Sequence, residues 1–277
     1  RQGLLAAVGF EVFAIDRLDG FQACTGQARI GLVALDADTG KLKWHFQYTP
    51  GDYMDYDEVG VQLLLDTEID GENRKVLAHF GRNGFFYTLD RTNGAYINSA
   101  AYVTQLTWSK GIDPKTGMPL EYDPSAALQT YAIGIIDRAG AVATTCPNIQ
   151  GGTNFFPTAY NPVLGIAYAV GIEGCSDLAV KEVDPADVVS GEIFIGGSGV
   201  NSGEQTGAVN AIDVATSTMA ATIATKYPMY SGVLATPDLM WAGHLDGTLV
   251  AYDATTLEEK WSMNGGTSFQ APPIAFA

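Results

Sequence analysis

The chain has 277 residues, of which 47% are hydrophobic, enough for one large all-β domain or two ordinary domains with a sizeable core. Its net charge of -16, from 31 acidic and 15 basic residues, argues against nucleic acid and anionic lipid as partners, because their phosphate groups would be repelled. No apolar run reaches the roughly 18 residues of a membrane-spanning helix, and the first residues lack the pattern of a signal peptide.

Short strands follow one another along the chain. Glycine is frequent, with 32 residues, and turn dipeptides separate short runs rich in Val, Ile, Tyr, Phe and Leu. No long stretch shows the helical period. The pattern predicts an all-β protein.

A frame of the form A-x-D-x-x-T-G-x-x-x-W recurs among these strands. It is complete at residues 34–44 and returns in part at residues 88–94, 211–217 and 251–261. The last two copies begin forty residues apart (251 - 211), the length of one four-stranded propeller blade. In each copy, we expect the Asp to cap the following turn and Gly, where present, to take the left-handed conformation. The tryptophans of the frame are predicted to pack in the core between neighbouring blades.

An acidic turn, PGDYMDYD, follows the first frame at residues 50–57. It places three carboxylates within six residues, and such a cluster either repels itself into solvent or surrounds a cation. From composition alone, an acidic surface turn and a cation site both remain open.

The three cysteines, Cys24, Cys146 and Cys175, lack CxxC and CxxCH spacing. Neither structural zinc nor covalently attached haem is therefore indicated within this chain.

The chain resembles the pyrroloquinoline-quinone (PQQ) dependent alcohol dehydrogenases of the methanol and ethanol dehydrogenase type. The resemblance rests on the first frame, the acidic turn and residues 81–91 (GRNGFFYTLDR), and it continues to the end of the chain, with residues 1–30 matching poorly. It implies a PQQ-type β-propeller, eight-bladed in the family, with PQQ in the central funnel and a metal ion beside it. Because family members are longer, residues 1–277 are expected to be a single partial propeller of about five blades, the C-terminal part of such a protein.

The same resemblance implies roles for four residues. Asp55 matches the catalytic base, which takes the alcohol proton while hydride passes to the quinone, and Arg82 matches the arginine that hydrogen-bonds the quinone oxygens. The alternative for Arg82 is a surface arginine paired with an acid. Asn154 matches an asparagine that contacts the cofactor. Asp57 matches the additional aspartate of lanthanide-dependent members, so Asp55 and Asp57 are expected to bind a lanthanide, with calcium or no metal as alternatives.

A disulfide between Cys146 and Cys175 is also implied, because these residues stand 29 apart (175 - 146), as do the disulfide partners of the family. A disulfide favours an oxidising compartment such as the periplasm. If both thiols are reduced, they are small buried residues and carry no information on compartment.

Several family features are missing. Residues 1–50 contain no asparagine, where family members carry an asparagine metal ligand, and Met54 stands where the family usually has Trp. The glutamate ligand, the adjacent-cysteine ring and the tryptophan that stacks on PQQ are also not found. The chain alone is therefore not expected to hold PQQ tightly.

The leading functional hypothesis is a quinoprotein that oxidises primary alcohols to aldehydes and passes electrons to a cytochrome c or another periplasmic carrier. No nucleic acid is expected as a partner, and a homodimer is one of the assemblies left open. The alternatives are a non-catalytic propeller that serves as a scaffold and a truncated copy that keeps the site residues without the activity.

Overall fold

The computed structural model describes residues 7–9, 31–126, 129–131, 142–192 and 196–276. In this part of the chain, sixteen strands form four antiparallel sheets, and a single 3-10 turn (Pro185–Asp187) is the helical element. None of the described helical structure is long and apolar enough to cross a membrane.

The strands are numbered in chain order and grouped by sheet. Sheet 1 contains β1 (Ala7–Gly9), β2 (Leu32–Leu35) and β3 (Leu42–Phe46). Sheet 2 contains β4 (Leu63–Ile69), β5 (Glu72–Phe80), β6 (Phe85–Asp90) and β7 (Tyr96–Ala101). Sheet 3 contains β8 (Val142–Thr145), β9 (Ala159–Asn161), β10 (Ile166–Val180), β11 (Gly197–Asp213) and β12 (Thr218–Thr225). Sheet 4 contains β13 (Val233–Ala235), β14 (Leu239–Gly243), β15 (Thr248–Asp253) and β16 (Glu259–Asn264).

Sheets 1, 2 and 4 are up-and-down meanders, the unit of a propeller blade. Strands pair in sequence order in sheets 1, 2 and 4, and in sheet 3 the central strand β10 pairs with β8, β9 and β11. The predicted all-β partial propeller is confirmed. Four sheets lie in the described residues, against about five blades expected for the whole chain, and residues 10–30 fall outside the described part.

Consecutive sheets pack face to face through alternating side chains. On β6, Phe85, Tyr87 and Leu89 join a buried cluster with sheet 1, whereas Phe86, on the opposite face, joins a cluster with sheet 3. On β10 the two faces differ in size. Small alanines meet sheet 2 and larger side chains meet sheet 4. Each fully buried large apolar side chain contributes roughly 1.5–3 kcal/mol to folding, so these inter-sheet layers form the core.

The recurring frame forms the predicted capped turn in all four sheets. The capping carboxylates, each of which accepts hydrogen bonds from backbone N–H groups two or three residues later, are Asp36, Asp90, Asp213 and Asp253. Gly40 (φ 67°) and Gly94 (φ 76°) take the left-handed conformation as expected. In the two copies that lack glycine, Ser217 (φ 54°) and Leu257 (φ 57°) adopt the same conformation.

The tryptophans of the frame behave differently at the two ends of the chain. Trp44 is buried, its ring lies against Gly94 of sheet 2, and its Nε1 donates to the Arg91 carbonyl oxygen at 3.2 Å. The predicted packing between blades is confirmed there. For Trp261 it is wrong. This side chain, on the last described strand, is 48% exposed and contacts Trp241 within its own sheet, at 5.9 Å between ring centroids.

Candidate functional site

The acidic turn lies in the loop between β3 and β4, and hydrogen bonds to Asp52 stabilise it. The two carboxylate oxygens of Asp52 accept hydrogen bonds from the backbone N–H groups of Met54, at 2.7 Å, and Tyr56, at 2.6 Å. Asp52 therefore shapes the loop with both of its oxygens, and the other two acids of the cluster remain to act as a pair.

The turn that Asp52 closes leaves Asp55 with a φ of 65°, in the left-handed region that residues other than glycine seldom occupy. The Asp55 side chain is 63% exposed, whereas that of Asp57 is 17% exposed. Unusual backbone conformations of this kind concentrate at functional sites, where the surrounding structure holds them in place.

Arg82 lies in the tight turn between β5 and β6, and its side chain is only 7% exposed. Nη1 donates to the Asp57 carboxylate at 2.5 Å, and Nη2 lies 3.4 Å from the Asp55 carboxylate. The guanidinium also donates to three main-chain oxygens, those of Asp57, Ile149 and Gln150. Arg82 is therefore not a surface arginine paired with one acid. Arg82 is buried and aims at both carboxylates.

The Asp55 carboxyl has a raised pKa. Desolvation is the largest cause, the Arg82 guanidinium acts in the opposite direction, and the neighbouring Asp57 carboxylate raises the pKa further. Two carboxyl groups this close tend to share a proton or a cation, because both cannot carry a full charge at low cost.

Asn154 reaches the same site through the loop that follows β8. Its Nδ2 donates to the Gln150 carbonyl oxygen at 2.8 Å, and this oxygen also accepts from Arg82 Nε at 3.2 Å. The structure thus brings the four sequence-predicted residues, Asp55, Asp57, Arg82 and Asn154, into one connected group.

The predicted disulfide is confirmed. Cys146 directly follows β8, Cys175 lies on the paired strand β10, and their Cα atoms are 4.3 Å apart. Between the disulfide and Asn154, the Ile149 N–H donates to Ser176 Oγ at 3.0 Å. The loop that supplies two acceptors to Arg82 is therefore anchored on sheet 3.

Glu58, next to Asp57 in the sequence, is a residue that the sequence reasoning missed. Its side chain is 3% exposed, and Oε2 accepts from His79 Nε2 at 2.8 Å and from the Arg82 backbone N–H at 3.0 Å. The signal available in the sequence was the fourth acid of the run. Its partner His79 is also buried.

The donor set fits part of a cation site. Asp55 and Asp57 place two carboxyl groups against the single guanidinium of Arg82, and carboxylate oxygens are ligands that hard cations prefer. In the described ranges, no three or more His, Cys, Asp or Glu side chains are grouped to hold a metal ion. Within these ranges, Asp55 and Asp57 offer two neighbouring carboxyl groups, which do not by themselves make up a full coordination sphere.

Known proteins resemble this chain in sequence. A family described as "PQQ: Glucose/ethanol/alcohol dehydrogenase, beta-propeller domain" matches residues 23–102. A quinoprotein ethanol dehydrogenase of Pseudomonas putida is 32% identical over 251 residues, 89% of this chain and 39% of that protein. A quinohemoprotein alcohol dehydrogenase of Comamonas testosteroni is 32% identical over 256 residues, 88% of this chain and 34% of that protein.

Solved structures agree with the sequence matches. The crystal structure of quinohemoprotein alcohol dehydrogenase from Comamonas testosteroni superposes with a TM-score of 0.75 at 31% identity, covering 88% of this chain and 36% of that one. A europium-containing methanol dehydrogenase gives a TM-score of 0.76 at 27% identity, covering 88% and 41%. The chain spans less than half the length of the relatives that it matches.

Proposed function

Because the chain belongs to the family of PQQ-dependent alcohol dehydrogenases, we propose that it forms part of a quinoprotein that oxidises primary alcohols to aldehydes. The observation that carries this proposal is the buried Arg82 guanidinium, which is hydrogen-bonded to Asp57 and directed at Asp55. A propeller that served only as a scaffold would have no need for two acids and one buried arginine directed at a common point.

The residues for the cofactor and the cation are Arg82 and Asn154 for PQQ, and Asp55 and Asp57 for the cation. When bound, PQQ supplies the hydride acceptor and the cation supplies a Lewis acid beside it. Arg82 stabilises negative charge that develops on oxygen, because its guanidinium is fixed in place by five acceptors before any ligand arrives. Asn154 sits on the same loop, and its amide gives the site a neutral donor.

Asp55 is the group that takes the hydroxyl proton of the alcohol. Its carboxyl is the most exposed of the site, so a substrate hydroxyl can reach it. The nearby Arg82 guanidinium lowers the pKa of this carboxyl against the effect of desolvation, and so favours the charged form that can accept a proton. Asp57, less exposed and bound to Arg82, is suited to holding a cation rather than accepting the proton.

We assign a lanthanide to the cation, with calcium as the alternative that the test below separates. A trivalent hard ion favours the larger number of anionic oxygens, and Asp57 adds one beside Asp55. The structural likeness to a europium-containing methanol dehydrogenase supports this assignment.

Compartment and partners follow from two observations. The disulfide between Cys146 and Cys175 supports an oxidising compartment, the periplasm. Relatives named quinohemoproteins support a haem protein, such as a cytochrome c, as the electron acceptor. A homodimer stays a prediction.

The test is binding of Tb³⁺ and of Ca²⁺ with PQQ in large excess, since the chain alone is expected to hold PQQ weakly, and it is monitored by Tb³⁺ luminescence and by PQQ fluorescence. We expect Tb³⁺ to bind, Ca²⁺ to compete weakly, and Asp57→Asn to reduce Tb³⁺ affinity by about tenfold or more, because one of two anionic ligands is lost. Asp66→Asn is the matched control, since it removes one negative charge at an exposed ion pair with Arg91. Binding of neither ion would contradict the proposal for this chain and leave the scaffold as the better account. An equal loss of Tb³⁺ affinity in Asp57→Asn and Asp66→Asn would mean that the effect comes from net charge alone.

A further inference from the structure

A line of buried and half-buried hydrogen bonds ends at the backbone of the Arg82 turn. Tyr48 Oη contacts Gln62 Oε1 at 3.2 Å, Gln62 Nε2 contacts His79 Nδ1 at 2.9 Å, and His79 Nε2 contacts Glu58 Oε2 at 2.8 Å. The line ends where the Arg82 backbone N–H donates to the same Oε2 at 3.0 Å. Glu58 therefore connects this network to the arginine of the proposed site.

The chemistry of each group sets the direction of these bonds. The carboxylate of Glu58 can only accept, so His79 donates from Nε2. The Gln62 carbonyl oxygen accepts from the Tyr48 hydroxyl, which leaves the Gln62 amide nitrogen to donate to Nδ1 of His79. The contacts with Glu58 and Gln62 are consistent with a His79 that carries its proton on Nε2, whereas Nδ1 also lies 3.2 Å from the Val61 carbonyl oxygen, which can only accept. The network thus fixes the rotamer of Glu58 before any ligand is present.

The surroundings of Glu58 are unfavourable for the stability of the folded state. Its Oε1 is buried and has no hydrogen-bond partner, and a buried carboxylate oxygen without a partner destabilises the folded state. The carboxylate also adds negative charge close to the acid pair. An apolar side chain of similar volume would avoid both effects, so the benefit of Glu58 lies in what its other oxygen holds.

We propose that Glu58 is a positioning residue, which fixes the backbone of Arg82 and so aims its guanidinium at Asp55 and Asp57. Arg82 is then held at three points. Its N–H group is held by Glu58, its carbonyl oxygen accepts from the Gly152 N–H at 2.8 Å, and its guanidinium is held by the acid pair and by the loop after β8. The consequence for cofactor and cation rests on the proposed function, whereas the ordering of Arg82 is a property of the free chain.

The experiment follows the Arg82 Nε–H signal in ¹⁵N NMR spectra of the free chain, assigned with Arg82→Lys. Glu58→Gln keeps an oxygen for the Arg82 N–H and is expected to preserve the signal. Glu58→Leu removes both oxygens, and we expect hydrogen exchange at Arg82 Nε to accelerate by about tenfold or more while the far-UV circular dichroism stays native.

Glu173→Leu is the matched control. Glu173 is as buried as Glu58 and accepts three hydrogen bonds, all from Thr104, with none from Arg82. It should lower stability without changing the Arg82 signal. If Glu58→Leu does not fold, His79→Phe decides the matter, because it removes the donor that orients Glu58 and leaves Glu58 in place. An unchanged Arg82 signal in the folded variant would overturn the proposal, as would an equal change in Glu173→Leu.

The two proposals fail in different ways. If the free chain binds neither PQQ nor Tb³⁺, the proposed function fails for this chain, but the exchange rates of Arg82 are still measured. If it binds both and Glu58→Leu leaves Arg82 exchange unchanged, the function stands and the role of Glu58 does not.

Discussion

Arg82 and Asn154 donate to the same main-chain oxygen, that of Gln150, at 3.2 and 2.8 Å. These two residues come from different sheets and lie 72 positions apart (154 - 82) in the sequence. Their meeting point belongs to the loop that the disulfide anchors on sheet 3. The geometry of the site therefore depends on a loop that contains none of its acids.

Removal of the disulfide tests this dependence. With a sequence separation of 29 between the cysteines, chain-entropy arguments give a loss of about 3 to 4 kcal/mol in the free energy of unfolding for Cys146→Ser with Cys175→Ser. Urea denaturation would measure it. We also expect PQQ affinity to fall in the folded variant. An unchanged affinity would show that the loop keeps its shape without the covalent link.

Arg82→Lys tests whether the shape of the guanidinium matters beyond its charge. A lysine ammonium offers three donors as a point charge, so it cannot serve five acceptors in one plane, and buried oxygens lose their partners. We expect a loss of about 2 to 4 kcal/mol in the free energy of unfolding. Arg91→Lys is the control. Arg91 binds a carbonyl and one exposed carboxylate, and its replacement should lower stability less. Equal losses in the free energy of unfolding for Arg82→Lys and Arg91→Lys would argue against a special role for the Arg82 guanidinium.

Gly94→Ala separates two reasons for a glycine. A Cβ at Gly94 would overlap the ring of Trp44, and the residue also has a φ of 76°. Gly40 has a φ of 67°, and no atom lies within 4 Å of the position that a Cβ would take there, so Gly40→Ala carries the backbone penalty alone, about 1 to 2 kcal/mol. Gly94→Ala should lose roughly 1 to 3 kcal/mol more, from overpacking. Thermal and urea unfolding would show the difference. Equal losses of stability in the two variants would mean that the Trp44 ring shifts to accommodate the added methyl group without destabilising the fold.

His244 should make the chain less stable as the pH falls. Desolvation lowers the pKa of His244 below 6.5, against nearby Asp246 and Glu259, which raise it. Below pH 6.5 the unfolded chain therefore binds this proton before the folded chain does. Stability then falls towards lower pH, by at most about 1.4 kcal/mol per pH unit.

His244→Gln removes this contribution, so the difference in unfolding free energy between wild type and variant should shrink or reverse between pH 7 and pH 5. His45→Gln, at an exposed site, controls for the loss of a histidine. Parallel pH curves for wild type and His244→Gln would contradict the prediction.

The turns of the repeat could be predicted residue by residue, because each depends on its own few neighbours. An Asp followed by Thr and Gly determines the cap and the left-handed residue. Ser217 and Leu257 show where this reasoning stops. Ser217 adopts the left-handed conformation, and its hydroxyl group contacts that of Thr88 in sheet 2. Leu257 adopts the same conformation, and its side chain is buried between sheets 3 and 4. Contacts across sheets decided both positions.

For the acids of the site, too, the sequence predicted one part and missed another. The resemblance to a family predicted that Asp55, Asp57 and Arg82 act together. Local sequence could not show that Asp52 would use both of its oxygens on the backbone. Nor could it show that Glu58 would turn inward, since its partner His79 is 21 residues away on another strand. Asp57 accepts from the guanidinium of Arg82, whereas Glu58 accepts from the Arg82 backbone N–H and from His79, so the two neighbouring acids serve different groups.

The indole of Trp44 belongs to sheet 1 but finds its contacts on the turn of sheet 2. Each such side chain makes the folding of one repeat a condition for the full stability of the next, which is the nearest-neighbour coupling of a linear array. Among the described residues, Trp261 is half exposed and packs on Trp241 of its own sheet, so it does not couple sheet 4 to a neighbouring sheet as Trp44 couples sheet 1 to sheet 2. Strand β16 should therefore lose amide protection before β3, and hydrogen exchange would reveal the order.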